Sequence, residues 1–183
     1  MKQKNCHNNT VIRLDECTFL GKGHSGSVYL MNNGKVVKIF KNPETCKEEY
    51  YILKKLSDGP YYPKPFEFHN HYMIREYIGG TNIREYIKKN GTSENLIIEI
   101  IKFLCYIKEN GFKKIDVRFA HIFVQEDTSI RVIDPRNSYT KKVYYPKHLI
   151  GDLETVNSLD LFWDILKDSK PYLFRSWYRK MQK

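Results

Sequence analysis

The sequence lacks a run of apolar residues long enough to cross a membrane. Its longest apolar stretch, residues 96–107, is interrupted by Glu99 and Lys102, whereas a spanning helix needs about 20 consecutive, mostly apolar residues. The first ten residues, MKQKNCHNNT, also lack the apolar segment of a secretory signal peptide. We therefore expect no transmembrane segment and a cytoplasmic location.

Cysteine is scarce, and its spacing excludes two kinds of site. The chain has four cysteines, Cys6, Cys17, Cys46 and Cys105. No pair has the C-x-x-C spacing of a zinc knuckle or a redox motif. The pattern predicts reduced, mostly buried thiols, as is usual in the cytoplasm.

Acidic residues are outnumbered by basic ones. There are 21 aspartates and glutamates against 31 lysines and arginines, which gives a formal net charge of +10. This excess favours an anionic partner such as nucleotide phosphate, an acidic protein, RNA or a membrane surface. General solubility explains the same charge equally well, so composition alone does not choose a partner.

The sequence contains enough apolar residues to form a hydrophobic core. The 183 residues are 41% hydrophobic, which suffices for one domain or for two small lobes. The apolar residues are clustered into periodic runs, a pattern that is not typical of disorder.

One glycine motif, G-x-G-x-x-G, lies near the start of the chain, at Gly21, Gly23 and Gly26. Dinucleotide-binding loops share this spacing but lead into a helix. Here two runs of β-formers, residues 27–31 and 35–40, flank Asn33-Gly34, which is typical of a tight hairpin with positive φ angles at both positions. We predict a β-hairpin whose glycine backbone approaches phosphate groups. An ordinary glycine turn is the alternative interpretation.

A buried ion pair is predicted between the next two elements. Strand alternation places Lys38 on the same face as Val36 and Phe40, where an ammonium group needs an anionic partner. Asn42-Pro43 predicts the start of a helix over residues 44–56. Glu49 shares the core-facing stripe of that helix. Extension of both side chains to solvent is the alternative.

Two aspartates flank a second predicted hairpin. Residues 121–124 and 130–133 are apolar runs on either side of a polar turn. The hairpin would bring Asp116 and Asp134 together, and two neighbouring carboxylates beside buried strands suggest a base and a metal ligand. Solvated aspartates on a surface hairpin are the alternative.

The remaining patterns predict four helices. Thr81 would cap a helix ending at residue 89, and Ser93 would cap one that closes at residues 110–111. Residues 151–163 are predicted as a single helix, which Asp152 would cap. Residues 171–183 form a last amphipathic helix with a basic side, which would pack on the chain or contact RNA or acidic lipid. Its predicted inner stripe is Phe174, Tyr178 and Met181.

In this order, the motifs of residues 18–137 resemble the eukaryotic-type protein kinases, especially small microbial serine/threonine kinases that keep a minimal core. The resemblance implies an α+β, two-lobed fold in a single domain, residues 1–183. The N-lobe, about residues 9–78, would hold a small antiparallel sheet and one large helix. A hinge at about 76–80 would lead to a reduced, mainly helical C-lobe at about 81–183.

The resemblance also implies roles for individual residues. Three glycines would cover the phosphates of ATP, and Lys38, with Glu49 as its partner, would hold the α- and β-phosphates. Val28 would pack on the adenine ring, and the backbone from Glu76 to Ile78 would form hydrogen bonds with the adenine. Asp116 would accept the substrate's proton and Arg118 would steady the moving phosphate. Asp134 would bind Mg²⁺. Asp152 would be the buried aspartate that anchors the catalytic loop, with helix capping as the alternative.

Several positions depart from the family pattern. His121 replaces the asparagine that serves as second metal ligand, and an imidazole suits Mn²⁺ better than Mg²⁺; a structural role for His121 is the alternative. The D-F-G motif is Asp134-Pro135-Arg136. Arg75 lies at the normally apolar gatekeeper position, where it could interfere with a nucleotide. No A-P-E-like segment follows.

The resemblance thus implies an ATP-dependent phosphotransferase that acts on serine or threonine hydroxyls of a protein. Two alternatives remain open. The departures favour a pseudokinase that binds nucleotide as a scaffold, and the missing A-P-E segment also fits a kinase for a small molecule or a lipid-linked sugar.

Overall fold

A computed structural model describes residues 12–135 and 137–182 and shows an α+β protein. The predictions that concern Cys6, Arg136 and the first eleven residues lie outside the described residues. The strands are β1 (Thr18–Lys22), β2 (Gly26–Leu30), β3 (Lys35–Phe40), β4 (Pro65–His69), β5 (Tyr72–Glu76), β6 (Thr81–Asn82), β7 (Ile122–Val124) and β8 (Ile130–Val132). The α-helices are α1 (Pro43–Lys55), α2 (Ile83–Asn90), α3 (Glu94–Glu109), α4 (Lys147–Glu154), α5 (Leu159–Ser169) and α6 (Pro171–Met181).

Five strands form an antiparallel sheet in the order β1-β2-β3-β5-β4. The predicted hairpin of residues 27–31 and 35–40 is β2–β3. The glycine motif lies in a second hairpin, β1–β2, at the edge of the sheet, which we call the glycine hairpin. In the turn between β2 and β3, only Gly34 has a positive φ angle, 75°. The prediction of positive φ angles at both positions is therefore wrong for Asn33. Asn33 instead uses its side-chain oxygen to accept from the backbone N–H of Lys35 at 3.1 Å, which a local polar side chain can do without a left-handed backbone.

Helix α1 packs against β3, β4 and β5. Its start is fixed as predicted, since the Asn42 side chain accepts from the N–H groups of Glu44 and Thr45 and Pro43 opens the first turn. The buried face of the helix consists of Cys46, Glu49, Ile52 and Leu53. Burial raises the pKa of the Cys46 thiol to about 11, with the Glu49 charge adding to the effect.

Helix α3 provides much of the remaining core. Its buried residues are Leu96, Ile97, Ile100, Ile101, Phe103, Leu104 and Ile107, and Ser93 caps it as predicted by accepting from the N–H of Leu96 at 3.3 Å. The predicted cap of α2 is wrong. Thr81 pairs with Val124 in the sheet β6-β7-β8, and the cap is Asn82, which accepts from the N–H of Arg84 at 3.1 Å.

The single helix predicted over residues 151–163 is two helices, α4 and α5. Asn157 has a φ angle of 54°, and the N–H of Ser158 donates to the carbonyl of Leu153 at 3.0 Å. A residue in the left-handed conformation with such a back-bonded N–H ends a helix. The apolar periodicity of the sequence continues across this break, so the pattern predicted one helix instead of two.

The inner face of α6 also differs from the prediction. Leu173 and Trp177 are buried, one position before the predicted Phe174 and Tyr178. Those two rings lie at the edge of the interface, where their centroids are 5.8 and 5.5 Å from that of Trp163 on α5. The basic side chains beside them are exposed, and contact with RNA or acidic lipid stays a prediction. No helix in the described ranges is long and apolar enough to span a bilayer.

Candidate functional site

A cavity of about 890 Å³ lies between the five-stranded sheet and the segments around β7 and β8. Its wall contains all but two of the residues predicted to form a site. These lining residues are Gly21, Gly23, Gly26, Val28, Lys38, Ile78, Asp116, Arg118, His121 and Asp134. Glu49 and Glu76 are not among the lining residues. Arg75 and His148 also line the cavity, and no sequence pattern predicted a role for His148.

The glycine hairpin forms one wall, and only one of its glycines is required by packing. A Cβ on Gly26 would lie 1.8 Å from the backbone oxygen of Ile39, so β2 and β3 pair only with glycine there. A Cβ on Gly21 or Gly23 would meet nothing within 4 Å. The bare backbone at Gly21 and Gly23 is therefore available to a ligand rather than needed by the fold.

Lys38 and Glu49 form a buried ion pair behind this hairpin. The lysine Nζ lies 2.9 and 2.7 Å from the two carboxylate oxygens, and the residues are only 6% and 1% exposed. Burial raises the pKa of Glu49, and the positive charge of Lys38 opposes that rise. The alternative of two solvent-extended side chains is wrong. The pair fixes an ammonium group at the cavity wall, which is the geometry needed to hold phosphate.

Arg75 stands on β5 at the back of the cavity and is 6% exposed. Its Nη1 donates to the backbone carbonyl of Glu76 at 2.9 Å. Burial lowers the pKa of the guanidinium, and the charges of Glu49 and Asp134 oppose that shift. A buried cation thus touches the backbone segment that was predicted to hold a nucleobase.

The side chain of Glu76 turns away from the cavity towards β8. Its Oε2 accepts from Arg131 Nη2 at 2.8 Å and from the N–H of Lys64 at 3.0 Å. Burial alone would raise the pKa of Glu76, but these hydrogen bonds outweigh it and the pKa is lowered. The predicted base-binding role of Glu76 therefore does not involve its side chain, and of residues 76–78 only Tyr77 and Ile78 line the cavity.

Asp116 is held by the first turn of α4. The aspartate is 7% exposed, and its Oδ1 accepts from the backbone N–H groups of His148 and Leu149 at 3.0 and 3.4 Å. Its Oδ2 contacts Nδ1 of the His148 ring. Helix N-termini favour negative charge because their first N–H groups have no partner within the helix. The fold therefore provides a strong structural reason for a carboxylate at this position.

His148 links Asp116 to Arg118. Its Nε2 lies 3.1 Å from Arg118 Nη2, and because a guanidinium only donates, Nε2 must accept. The ring proton then lies on Nδ1, from which it donates to Asp116. This hydrogen-bond pattern assigns one tautomer of a neutral imidazole. No sequence signal pointed to His148, since it is 32 residues from Asp116 and meets it only through tertiary packing.

Asp152, one turn further along α4, anchors the same loop. Its Oδ2 accepts from the N–H of Phe119 at 2.9 Å, and its Oδ1 pairs with Arg84 of α2. Because Asp152 lies inside α4, it does not cap that helix. Of the two predicted roles, the loop anchor is therefore the one that the structure supports.

His121 and Asp134 face each other across the cavity, with His121 Nε2 3.9 Å from Asp134 Oδ2. Burial lowers the pKa of His121 against the opposing charge of Asp134, which favours the neutral, metal-binding imidazole. Within residues 12–135 and 137–182, no group of three or more histidine, cysteine, aspartate or glutamate side chains could hold a metal. Asp134 and His121 could hold a divalent cation only together with further ligands from outside these residues, and a nitrogen donor suits Mn²⁺ better than Mg²⁺.

Comparison with known proteins finds distant relatives that are named as kinases. No family model matches the chain. It is 27% identical over 126 residues to a Bacillus subtilis protein named "Putative serine/threonine-protein kinase YrzF", covering 66% of this chain and 59% of that protein. It is 28% identical over 136 residues to a Clostridium acetobutylicum protein named "Probable serine/threonine-protein kinase", covering 63% of this chain and 21% of that protein. The chain spans less than two thirds of either relative, and these similarities support a kinase-like family.

Proposed function

We propose that this protein is a nucleotide-dependent phosphotransferase of the serine/threonine protein kinase type, with ATP as the donor that the resemblance implies. The observation that carries the proposal is the Lys38–Glu49 ion pair, which opens onto the same cavity as Asp116 and Asp134. The names of the two relatives agree with it. In the two-lobed arrangement that this function requires, β1–β5 and α1 would form one lobe and α2–α6 the other.

The glycine hairpin and Lys38 would bind the triphosphate. Backbone N–H groups at Gly21 and Gly23 can approach phosphate oxygens because no side chain intervenes. The Lys38 ammonium is already oriented by Glu49, so little conformational entropy is lost when it binds the phosphates. Phosphoryl transfer needs mainly such positioning and charge compensation, since its transition state is loose and highly charged.

Asp116 would orient the acceptor hydroxyl and take its proton. A carboxylate oxygen accepts two hydrogen bonds, so Oδ2 can keep its bond from His148 while it accepts from a substrate hydroxyl. The backbone donors of α4 hold Oδ1 and prevent rotation of the carboxylate. Arg118, which is held at the cavity wall by His148, would offset negative charge on the moving phosphoryl group.

A divalent cation held by Asp134 and His121 would supply positive charge against the β- and γ-phosphates. Asp134 has a φ angle of 59°, a left-handed conformation that is uncommon for residues other than glycine and costs of order 1 kcal/mol or more. This backbone strain is consistent with a side chain whose direction matters for function.

The test is transfer of radiolabelled γ-phosphate to a generic acceptor protein, in Mg²⁺ and in Mn²⁺. We expect Asp116→Asn to lose about 10²- to 10⁴-fold in rate, the usual worth of a general base, and Asp134→Ala to abolish transfer. Asp164→Asn, on the exposed side of α5, is the matched control and should leave the rate unchanged. Wild-type turnover by Asp116→Asn would refute the proposed role of Asp116.

One observation favours a second function, a nucleotide-binding scaffold without transferase activity. Both oxygens of Asp116 are engaged by α4, and the side chain of Asp116 is almost fully buried whereas that of His148 is partly exposed. Nucleotide binding by the wild-type protein, with no transfer in either metal, would establish this function instead.

A further inference from the structure

The side of the cavity that holds Asp116 carries cationic side chains that are not paired with carboxylates. We propose that the phosphoacceptor is an acidic segment of protein, in which aspartate, glutamate or phosphoserine side chains flank the accepting hydroxyl. The inference rests on the proposed function, because it names the acceptor for that same site. Such a segment would bind whether or not phosphate is transferred, so the two proposals can fail separately.

The lining of the cavity has an excess of positive charge. It includes six lysines and arginines, namely Lys22, Lys38, Arg75, Lys114, Arg118 and Lys141. Only two acidic residues, Asp116 and Asp134, line it with them. Glu49 pairs with Lys38 from behind the wall. A cleft lined mainly by one sign of charge concentrates ligands of the opposite sign, and a triphosphate with its divalent cation would offset only part of this excess.

Backbone pairing places Lys141 on the side of the cavity that holds the proposed base. The N–H of Ile115 donates to the carbonyl of Val143 at 2.8 Å. The segment that carries Lys141 therefore runs beside the residues that lead into Asp116. Lys38, which would hold the triphosphate, lies instead on β3 of the five-stranded sheet. Lys141 is thus a cation at the acceptor side, and it is exposed to an approaching partner.

The protein does not offset these charges itself. Within residues 12–135 and 137–182, no acidic side chain lies at ion-pair distance from Arg118 or Lys141. The contact of Arg118 is with the neutral ring of His148, and residues 135–151 contain no aspartate or glutamate. An acceptor with acidic side chains would supply the missing carboxylates, whereas a basic acceptor would be repelled.

The shape of the site favours a segment of chain over a small molecule. A second cavity of about 490 Å³ adjoins the first, since Arg118 and Ala120 line both. The other lining residues of the second cavity are Asn82, Arg84 and Asp152. The carboxylate of Asp152 is already paired with Arg84. An extended segment can therefore place its hydroxyl at Asp116 and its neighbouring residues along Arg118 into the second cavity.

The test uses three labelled peptides that share a central serine and differ only in the flanking residues, which are aspartate, asparagine or lysine. Binding is measured by fluorescence anisotropy with a non-hydrolysable ATP analogue and Mn²⁺, and transfer is measured with radiolabelled ATP. We expect the aspartate peptide to bind about 10-fold more tightly than the asparagine peptide, which is the worth of one or two exposed ion pairs. The lysine peptide should bind least, and added salt should reduce the differences.

Two neighbouring lysines provide matched variants. Lys141 and Lys142 are both exposed, but only Lys141 lines the cavity. We expect Lys141→Glu to weaken binding of the aspartate peptide about 10-fold, to strengthen binding of the lysine peptide, and to leave the affinity for the ATP analogue unchanged. Lys142→Glu should stay within about 2-fold of wild type for every peptide.

Three results would overturn the inference. The first is equal binding of the three peptides, or of none; if all three were nevertheless phosphorylated, the proposed transferase would stand. The second is an equal effect of Lys141→Glu and Lys142→Glu. The third is a uridine oligonucleotide that binds more tightly than the aspartate peptide and displaces it, which would assign these cations to nucleic acid. Binding of the aspartate peptide that depends on Lys141, without transfer, would support the inference and refute the transferase.

Discussion

The buried Lys38–Glu49 pair leads to a stability prediction that is independent of function. Replacing one partner leaves the other charge buried and uncompensated, which costs about 3–5 kcal/mol of unfolding free energy. Replacing both partners with apolar residues of similar volume is often neutral or stabilising. We therefore expect Lys38→Met and Glu49→Leu each to destabilise the protein, and the double variant to recover most of the loss.

The neighbouring charges refine the size of each effect. In Lys38→Met, the Glu49 carboxylate still interacts with Arg75, and burial allows it to take up a proton. We expect this variant near the lower end of the range, about 3 kcal/mol. In Glu49→Leu, Lys38 and Arg75 remain as two buried cations, so the cost should lie near the upper end. For a chain of this length, 3–5 kcal/mol corresponds to a fall in Tm of about 6–20 °C.

The assay is urea and thermal unfolding of the wild type, the two single variants and the double variant, combined as a double-mutant cycle. The matched control is the exposed pair Glu99–Lys102 on α3, whose atoms are 2.8 Å apart. Surface pairs contribute about 0–1 kcal/mol, so the Lys102→Met control should hardly change Tm. A double variant that is less stable than both single variants would refute this reasoning, because the pair would then be a net source of stability.

Three further predictions concern the site. Gly26→Ala should lower the free energy of unfolding by about 1–3 kcal/mol because of overpacking, whereas Gly23→Ala should change it by no more than about 0.5 kcal/mol. Urea unfolding of both variants tests this, and equal losses of stability would contradict it. Asp152→Ala should cost about 1–3 kcal/mol by leaving a loop N–H unpaired and should slow transfer more than Glu154→Ala, its exposed neighbour on α4. Because the pKa of Glu76 is lowered in the fold, wild type should exceed Glu76→Gln in stability at pH values above the usual pKa of 4.5. This advantage should disappear as the pH falls through the lowered pKa; a difference in urea midpoint that is constant from pH 3 to 7 would contradict this.

Local physical rules predicted the elements that pair within a short stretch of chain. Strand alternation and turn residues predicted the β2–β3 and β7–β8 hairpins, and capping residues predicted the starts of α1 and α3. The partner of Lys38 could be predicted because a buried ammonium on one element requires a carboxylate on the core-facing side of the next. In each case the determining contacts lie within about a dozen residues or follow from burial alone.

The sequence predictions were wrong where contacts between distant parts of the chain determine the structure. Helix α4 begins at Lys147 without a side-chain cap, and no start signal marked it. Its end depends on the left-handed Asn157, which is as compatible with a helix surface as with a break. The inner face of α6, Leu173 and Trp177, depends on how the helix packs against α5. The role of His148 could not be predicted because both of its partners belong to a distant loop.

These same tertiary contacts explain how the loop that carries Asp116 and Arg118 is held. Helix α4 alone contributes its N-terminal N–H groups and His148 to Asp116, the His148 ring to Arg118, and Asp152 to the N–H of Phe119. The two ring nitrogens of His148 bind Asp116 and Arg118 at the same time, so one rotation of the imidazole would break both side-chain contacts, while the backbone N–H groups of α4 still hold Asp116. Any displacement of α4 must therefore change the proposed base and the proposed phosphate-binding cation together. Under the proposed function, the position of this eight-residue helix would therefore decide between a site that transfers phosphate and one that only binds nucleotide.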